Sequence, residues 1–259
     1  MGPVTVICAD PAPAACKVCE SPAYLVGVVD FNKHCPGAPG FALELSGEPV
    51  YYRQCRTCGL VFTGYCDAWT EADFARRIYN DRYLEVDPDF TETRPRANAD
   101  FLEAVFGAHR ATLTCLDYGG GDGVLATMLG KKGFAHARSC DPYHAGGAAL
   151  PTERQRLVTS FEVLEHSPTP RKTVAEMASC LTEDGMALFS TLLVPESFAG
   201  IGMSWWYIAP RNGHITFYTR DALSRLWGEH GFRVGSLNEN LHVAVRSVPD
   251  FASHFIKMA

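Results

Sequence analysis

Strand-like and helix-like segments alternate from residue 111 to about residue 248. Short apolar runs rich in β-formers predict strands, and apolar residues that repeat every three or four positions predict helices. Because alternating strands and helices build a mainly parallel sheet covered on both faces, this region predicts a doubly wound α/β fold. The predicted strands are residues 112–118, 137–140, 156–164, 186–194, 232–237 and 242–248, and the predicted helices are residues 124–129, a helix that opens at Thr169 and Pro170, and residues 221–230.

The pattern changes in three other places. Residues 1–66 are rich in Cys, Gly and Pro and have little helical periodicity, whereas residues 67–110 carry aromatic and charged residues in a pattern compatible with helices. Between Asp141 and Arg156 there is little room for the usual helix and strand, and residues 144–155 have weak periodicity. We therefore expect a shortened or irregular element in that part of the sheet.

Composition and charge narrow the class of protein. The chain has 259 residues, of which 47% are hydrophobic and 20% charged, as is typical of a soluble globular protein. Its formal net charge of -6 argues against a general electrostatic affinity for nucleic acid or anionic membranes. No apolar run is long enough to cross a bilayer, and the first residues lack the features of a signal peptide, so we expect a cytoplasmic protein.

Ten cysteines are many for a chain of this length, and their distribution is uneven. Seven of them, starting with Cys8, precede Asp67. In a cytoplasmic protein, metal binding explains such a cluster better than disulfides do. Two C-x-x-C pairs can each offer two thiolates, and together they complete the tetrahedral four-sulfur arrangement of a structural zinc site. The expected ligands are Cys16, Cys19, Cys55 and Cys58, with His34 or Cys35 as possible replacements and simple reduced cysteines as the alternative.

The strongest local motif is the glycine-rich run from Asp117 to Gly123, between a predicted strand and a predicted helix. Glycines there allow a tight turn and let a ligand approach the start of the helix. Asp141 ends the next strand and can accept both hydroxyls of a ribose. A dinucleotide fingerprint would need glycine at Val124, and the turn contains no basic residue to hold a phosphate. An acid beside the glycines instead suits a ligand with an amino group and a ribose, such as S-adenosylmethionine (SAM).

These residues resemble a class I SAM-dependent methyltransferase over residues 112–248. The resemblance rests on DYGGGDG, SCDPY, SFEVLEH, LTEDGMALFST and GHITFYTRDALSRLWGEHGFRV. It implies a Rossmann-like sheet of the seven-stranded type, with the glycine loop against the methionine part of SAM and Asp141 on the ribose. The implied cofactor residues are Asp117, Tyr118, Gly119, Gly120, Gly121, Asp141, Pro142, Phe161 and Glu162.

A zinc module ahead of such a domain is similar to bacterial methyltransferases that modify sugars, nucleotide-sugars or natural products. We therefore expect a zinc-binding module over residues 1–66, a helical lid or linker over residues 67–110, and a SAM-binding domain over residues 111–259. The expected partner is a small-molecule acceptor, with no membrane and no nucleic acid, and the sequence does not indicate an oligomeric state.

Three residues are candidates for the acceptor side of the reaction. Glu165 and His166 follow a predicted central strand, whose end should open into the ligand crevice. His214 closes an aromatic insertion, residues 204–214, that could cover the acceptor. An imidazole titrates near neutral pH, so either histidine could be the general base. Equally, Glu165 and His166 could simply cap the next helix, and the insertion could be a packed aromatic loop.

Two other functions remain open at this point. The protein could use SAM for chemistry other than methyl transfer, because binding motifs identify a cofactor and not a reaction. It could also be a non-catalytic partner whose zinc module binds protein or RNA, an interpretation that Arg53 and Arg56 beside the second cysteine pair support.

Overall fold

The computed structural model describes residues 12–37, 41–142 and 149–256. Over these ranges the chain forms two sheets, eight α-helices and several short 3-10 turns. The strands are β1 (Ala14–Ala15), β2 (Pro22–Asp30), β3 (Pro49–Cys55), β4 (Val61–Thr63), β5 (Thr114–Tyr118), β6 (His136–Cys140), β7 (Gln155–Phe161), β8 (Leu181–Ser190), β9 (Thr216–Phe217), β10 (Arg233–Ser236) and β11 (Leu241–Val245). The helices are α1 (Glu71–Arg77), α2 (Tyr83–Val86), α3 (Thr93–Phe106), α4 (Val124–Lys131), α5 (Pro170–Ser179), α6 (Phe198–Ile201), α7 (Arg220–Gly228) and α8 (Ser253–Ile256).

The larger sheet has the strand order β10-β11-β8-β7-β5-β6. Strands β8, β7, β5 and β6 are parallel to one another, while β11 is antiparallel to both β8 and the edge strand β10. The predicted doubly wound, mainly parallel sheet is therefore confirmed. Six strands form it within the described residues, against the seven-stranded type implied by the resemblance. Between β6 and β7, residues 143–148 lie outside the described part, and residues 149–154 form neither helix nor strand.

The two faces of this sheet carry separate cores because neighbouring residues along each strand point to opposite faces. Leu116 and Val158 belong to the core that includes α5 and α7, whereas Cys115 and Leu157 belong to the core that includes α3 and α4. On α7, Leu223, Leu226 and Trp227 are buried, which is the inward face that the sequence predicts. Helices on both faces leave the carboxyl ends of the parallel strands as the place for a ligand crevice.

Two predicted boundaries differ from the structure. The strand predicted over residues 156–164 ends at Phe161, because Glu162 has a positive φ of 55° and Leu164–His166 form a 3-10 turn. The strand predicted over residues 186–194 corresponds to β8, which begins earlier, at Leu181, and ends at Ser190, and its pairing with β7 is irregular between Leu181 and Met186. Both differences arise from backbone irregularities that hydrophobic periodicity does not report.

The smaller sheet has the order β1-β2-β3-β4-β9, and all its pairs are antiparallel. Its fifth strand comes from residues 216–217, far along the chain from the other four. Pairing of Val61 with Phe217 thus joins the N-terminal segment to the region between β8 and α7. A third core of mainly aromatic and aliphatic residues fills the space at this junction.

The segment between the sheets contains helices α1, α2 and α3. Helix α1 begins at a capping box, in which Thr70 and Asp73 satisfy each other's backbone N–H groups. Helix α3 buries Ala99, Leu102 and Phe106 against the larger sheet.

Within the described residues, none of the helices combines the length and the apolar character needed to span a bilayer.

Candidate active site and cysteine cluster

The glycine-rich turn joins the end of β5 to the start of α4. Its backbone folds onto the neighbouring strand β6, because the N–H groups of Gly119 and Gly120 donate to the carbonyl of Cys140, at 2.8 and 3.4 Å. The N–H of Gly121 donates to a carboxylate oxygen of Asp141 at 3.0 Å. The turn and the predicted ribose acid, 20 residues apart in sequence, therefore form one continuous wall.

Glycine is needed at two points of this turn for different reasons. A Cβ on Gly120 would lie 2.1 Å from the Asp117 carboxylate, so the turn can only pass over that acid without a side chain. Gly121 has a positive φ of 52°, and a Cβ there would meet no atom within 4 Å. The side of the turn facing away from Asp117 is consequently open to a ligand.

Asp117 lies beneath the turn and is 4% exposed. The Thr159 hydroxyl donates to its carboxylate at 3.3 Å. Burial raises the pKa of Asp117 from 3.8 to about 7, although the Thr159 hydrogen bond opposes the shift. A cation bound at the turn would favour the charged form of this acid.

Phe161 and Glu162 follow at the end of β7. The backbone of Glu162 is left-handed, which is unfavourable for a residue with a side chain. Ser190 at the end of β8 holds this conformation: its hydroxyl accepts from the Glu162 N–H at 2.9 Å and donates to the Glu162 carboxylate at 2.8 Å. Tyr118 is buried, while Phe161, Glu162 and Pro142 are half-buried along the same edge of the sheet.

The three predicted acceptor-side residues come together, although they derive from two distant segments. A carboxylate oxygen of Glu165 and one ring nitrogen each of His166 and His214 lie within 4.8 Å of one another. The two imidazole rings meet edge to face, with centroids 4.9 Å apart. Gly213 permits this approach, since a Cβ at its position would lie 2.8 Å from His166 Nδ1.

Burial changes the proton affinities in this group, which we call the acceptor cluster (Glu165, His166 and His214). Desolvation lowers the pKa of His214 to about 4 and that of His166 well below its usual value, the second also because His214 lies beside it. Both imidazoles are therefore neutral at neutral pH, whereas the sequence predicts titration near neutrality. Burial and the nearby Glu162 raise the pKa of Glu165 well above its usual value.

Tyrosines surround the acceptor cluster. The Tyr207 hydroxyl donates to Glu165 Oε1 at 2.5 Å, and the backbone carbonyl of Tyr207 lies 3.0 Å from His214 Nδ1. The Tyr79 hydroxyl lies 3.2 Å from His166 Nδ1. The other oxygen of Glu165 is buried and has no hydrogen-bond partner among the described residues.

The aromatic insertion, residues 204–214, is largely structural. Trp205 is 5% exposed and packs in the third core, whereas Trp206 is 50% exposed. Arg211 is buried and donates to the Ile78 carbonyl at 2.9 Å and to Asn80 at 3.1 Å. The guanidinium of Arg211 is therefore engaged in hydrogen bonds within the protein.

The four predicted zinc ligands lie together at the edge of the smaller sheet. Their sulfur atoms are all within 4.8 Å of one another, with Cys16 Sγ 3.6 Å from Cys58 Sγ and Cys19 Sγ 3.5 Å from Cys55 Sγ. Backbone N–H groups of each C-x-x-C pair approach the thiols, as from Val18 to Cys16 at 3.5 Å. Four sulfurs at such separations fit a tetrahedral zinc ion.

The proposed substitutes for these ligands lie elsewhere. The Cys35 thiol is 3.7 Å from His214 Nδ1, beside the acceptor cluster, and the His34 ring packs against Phe41. Arg56 lies 4.1 Å above the ring of Tyr24, within the same sheet. Cys8 lies outside the described residues.

Sequence reasoning missed several residues around these sites. Tyr207 lies inside the insertion that the sequence identified, but nothing in its spacing distinguishes it from its aromatic neighbours. Ser190 lies within a predicted strand, and Tyr52, whose hydroxyl donates to the His214 carbonyl at 2.9 Å, lies in β3, so both have the pattern of ordinary strand residues. The signal that could have found them is three-dimensional contact and not local sequence.

Comparison with known proteins gives a family. A family model described as a methyltransferase domain matches residues 90–237, more than half of the chain. No curated protein matches the sequence of the chain.

The fold is similar to that of an O-methyltransferase family protein from Burkholderia thailandensis, at 14% sequence identity and a TM-score of 0.50. That alignment covers 68% of this chain and 63% of the Burkholderia protein. The chain is also similar to magnesium protoporphyrin IX methyltransferase from Synechocystis PCC 6803, solved with bound SAH, at 17% identity and a TM-score of 0.46 over 71% of this chain and 97% of that one. Since the family model covers most of the doubly wound sheet together with its glycine turn, the chain belongs to the methyltransferase family and is a SAM-dependent methyltransferase.

Proposed function

We propose that this protein transfers the methyl group of SAM to a small-molecule acceptor: a sugar, a nucleotide-sugar or a natural-product intermediate. The observation that supports this most is the position of the acceptor cluster relative to the glycine turn. Val163 packs against Gly119, since a Cβ at Gly119 would lie 2.5 Å from its side chain, and Glu165 follows two residues later. A cofactor on the turn would therefore have the acceptor cluster beside it.

In this proposal, the cofactor residues are the ones that the resemblance implies. Asp141 accepts the ribose hydroxyls, Gly119 to Gly121 line the methionine part, and Asp117 balances the amino group from beneath the turn. Tyr118, Pro142, Phe161 and Glu162 complete the wall. SAM supplies an electrophilic methyl group on its sulfonium, and the protein contributes alignment and exclusion of water.

The acceptor cluster would handle the proton of the acceptor. His166 or His214 accepts it, and because burial keeps both imidazoles neutral, each retains a lone pair at neutral pH. Glu165 is held by Tyr207 and orients the acceptor. Glu165 is 0% and His214 7% exposed, and His166 is half-buried, so the acceptor cluster is largely shielded from bulk water.

We further propose a zinc ion on Cys16, Cys19, Cys55 and Cys58 with a structural role. Four protein sulfurs leave no open position on a tetrahedral ion, so this site cannot activate water or an acceptor. Nine described cysteines are unpaired, which suits the cytoplasm as the location. The net charge of -6 gives no support for a nucleic-acid partner.

The alternatives have weaker support. SAM chemistry other than methyl transfer would use the same cofactor wall and differ only in the product. A non-catalytic role for the zinc module in RNA binding would need free arginines there, and Arg56 is stacked on Tyr24.

Product analysis tests the proposal. The enzyme is incubated with SAM carrying a deuterated methyl group and the small-molecule fraction of a cell extract, and the mixture is analysed by mass spectrometry. We expect a molecule that gains one labelled methyl only with active enzyme, with heat-denatured enzyme as the control. A labelled fragment other than methyl would favour the first alternative, and the absence of any labelled product would contradict the proposal.

A further inference from the structure

The segment that carries His214 is held along its length by the N-terminal sheet and its flanking loops. The N–H of Cys35 donates to the Asn212 side chain at 2.8 Å, and the N–H of Arg211 donates to the Lys33 carbonyl at 3.2 Å. Further along, strand β9 pairs with β4. The Thr219 hydroxyl then donates to the carbonyl of Cys58, one of the four clustered cysteines, at 2.5 Å.

Tyr52 in β3 contacts His214 directly. The hydroxyl of Tyr52 donates to the backbone carbonyl of His214 at 2.9 Å, and the whole Tyr52 side chain is buried. Its ring packs against Phe217, with centroids 5.8 Å apart. Tyr52 lies three residues before Cys55, so the strand that ends in the cysteine cluster also carries the contact to the acceptor cluster.

The other side of the same segment is attached to the larger sheet. The N–H of Ile215 donates to the Glu165 carbonyl at 2.8 Å, and the carbonyl of Ile215 accepts from the Thr63 N–H at 2.9 Å. One residue therefore bridges the N-terminal sheet and the end of β7. The separation of His214 from His166 depends on both attachments.

We propose that the cysteine-bearing N-terminal sheet is part of the acceptor site, and that Tyr52 is the positioning residue through which it places His214 against His166. This inference rests on the proposed function of the acceptor cluster. The sheet acts on the backbone of the His214 segment. The Tyr52 hydroxyl and the Thr63 N–H donate to carbonyls of this segment, and the position of the imidazole depends on the position of that backbone. A displaced segment would lose both the neutral, buried state of His214 and its alignment with the acceptor.

The test replaces one hydroxyl. Tyr52→Phe removes the donor and keeps the buried ring, while Tyr51→Phe makes the same change on the neighbouring residue, which is 48% exposed. Zinc content and SAM affinity are measured first, and both should be unchanged in the two variants because neither contacts the cysteines or the glycine turn. Nitrogen NMR of the histidine side chains then follows the titration of His214, assigned with His214→Ala.

We expect Tyr52→Phe, and not Tyr51→Phe, to raise the titration midpoint of His214 by about one pKa unit, because the imidazole becomes better hydrated. Labelled-methyl transfer to the extract fraction should fall about 10-fold or more, since small misplacements near the reacting groups are costly. Added zinc should restore neither the His214 titration nor the labelled-methyl transfer. Asn212→Ala removes the contact with the Cys35 N–H and should change the His214 titration and the methyl transfer in the same directions. It is the second test variant if Tyr52→Phe folds poorly.

An unchanged His214 titration in Tyr52→Phe and Asn212→Ala would overturn the inference. Failure of the proposed function looks different: wild-type protein would label no small molecule, while the NMR comparison would still report whether Tyr52 places His214.

Discussion

The imidazoles of His166 and His214 meet edge to face, with ring centroids 4.9 Å apart, although 48 residues separate them in sequence. His166 follows β7 of the larger sheet, and His214 belongs to the segment that joins the smaller sheet. The acceptor cluster therefore exists only when both sheets are correctly assembled. This dependence leads to several predictions.

Loss of either histidine should reduce turnover without affecting the cofactor. We expect His166→Ala or His214→Ala to lower labelled-methyl transfer by about 10²–10⁴-fold, the usual contribution of a general base. SAM affinity, measured by calorimetry, should stay within error, because the imidazoles contact the acceptor and not the glycine turn. If both variants keep near-normal turnover, neither histidine is the base, and Glu165 or Tyr79 becomes the next candidate.

Asp117 should make the stability of the cofactor-free protein depend on pH. Its folded-state pKa is raised from 3.8 to about 7, so between these values the folded protein binds a proton that the unfolded chain does not. The contribution of this group to the free energy of unfolding consequently falls as pH rises from about 4 to about 7. Urea unfolding at several pH values should show stability falling more steeply with pH in wild type than in Asp117→Asn, since the buried Glu165, His166 and His214 keep their own contributions in both proteins, with the exposed Asp184→Asn as control.

Saturating SAM should reduce the same slope. If the amino group of SAM lies over Asp117, it favours the carboxylate and lowers the pKa of the bound state. A slope that SAM leaves unchanged would contradict the placement of the amino group, and an Asp117→Asn variant with the wild-type slope would contradict the burial argument.

At Glu162, a glycine variant should be more stable than an alanine variant, which is the reverse of the usual order of stability. Both Glu162→Ala and Glu162→Gly remove the carboxylate that Ser190 contacts, so the difference between them reports the backbone alone. At a φ of 55°, glycine is unstrained and alanine is not. We expect Glu162→Gly to be more stable than Glu162→Ala by about 1 kcal/mol in denaturant unfolding. The opposite order would mean that the left-handed conformation is absent.

The cysteine cluster predicts one zinc ion per chain. Elemental analysis of purified protein should find one equivalent, and Cys58→Ser should lose it together with a large fall in melting temperature, since structural zinc contributes about 10 kcal/mol or more in small modules. Cys66→Ser is the matched control: Cys66 is buried in the same region but lies outside the cluster. Protein without zinc and with four freely titrating thiols would contradict the site.

The sequence predicted the larger sheet well because its strands are continuous apolar runs and its helices have strong periodicity. Leu223, Leu226 and Trp227 repeat at helical spacing, and all three are buried. The proximity of the glycine run to Asp141 was also predictable. Each follows a strand, and these two consecutive strands lie side by side in the parallel sheet. The cysteine pairs were predictable because their spacing follows from the geometry of two thiolates on one ion.

The junction of the two sheets was not predictable. Strands β4 and β9 have three and two residues, which is too short for any periodicity to appear. Their pairing brings Tyr52 to His214, so the positioning contact depends on a long-range register that no local pattern encodes. The lowered pKa of His214 follows from burial at this junction and was invisible for the same reason.

The central claim of the proposed function is that SAM binds at the glycine turn with its ribose on Asp141. Calorimetric titration of SAM into wild type, Asp141→Ala and the exposed control Asp184→Ala tests it most directly. We predict that Asp141→Ala weakens binding by about 1–3 kcal/mol, or roughly 5- to 150-fold, because the ribose hydroxyls lose their acceptor. Asp184→Ala should bind as wild type does. Equal SAM affinity in all three proteins would contradict the account.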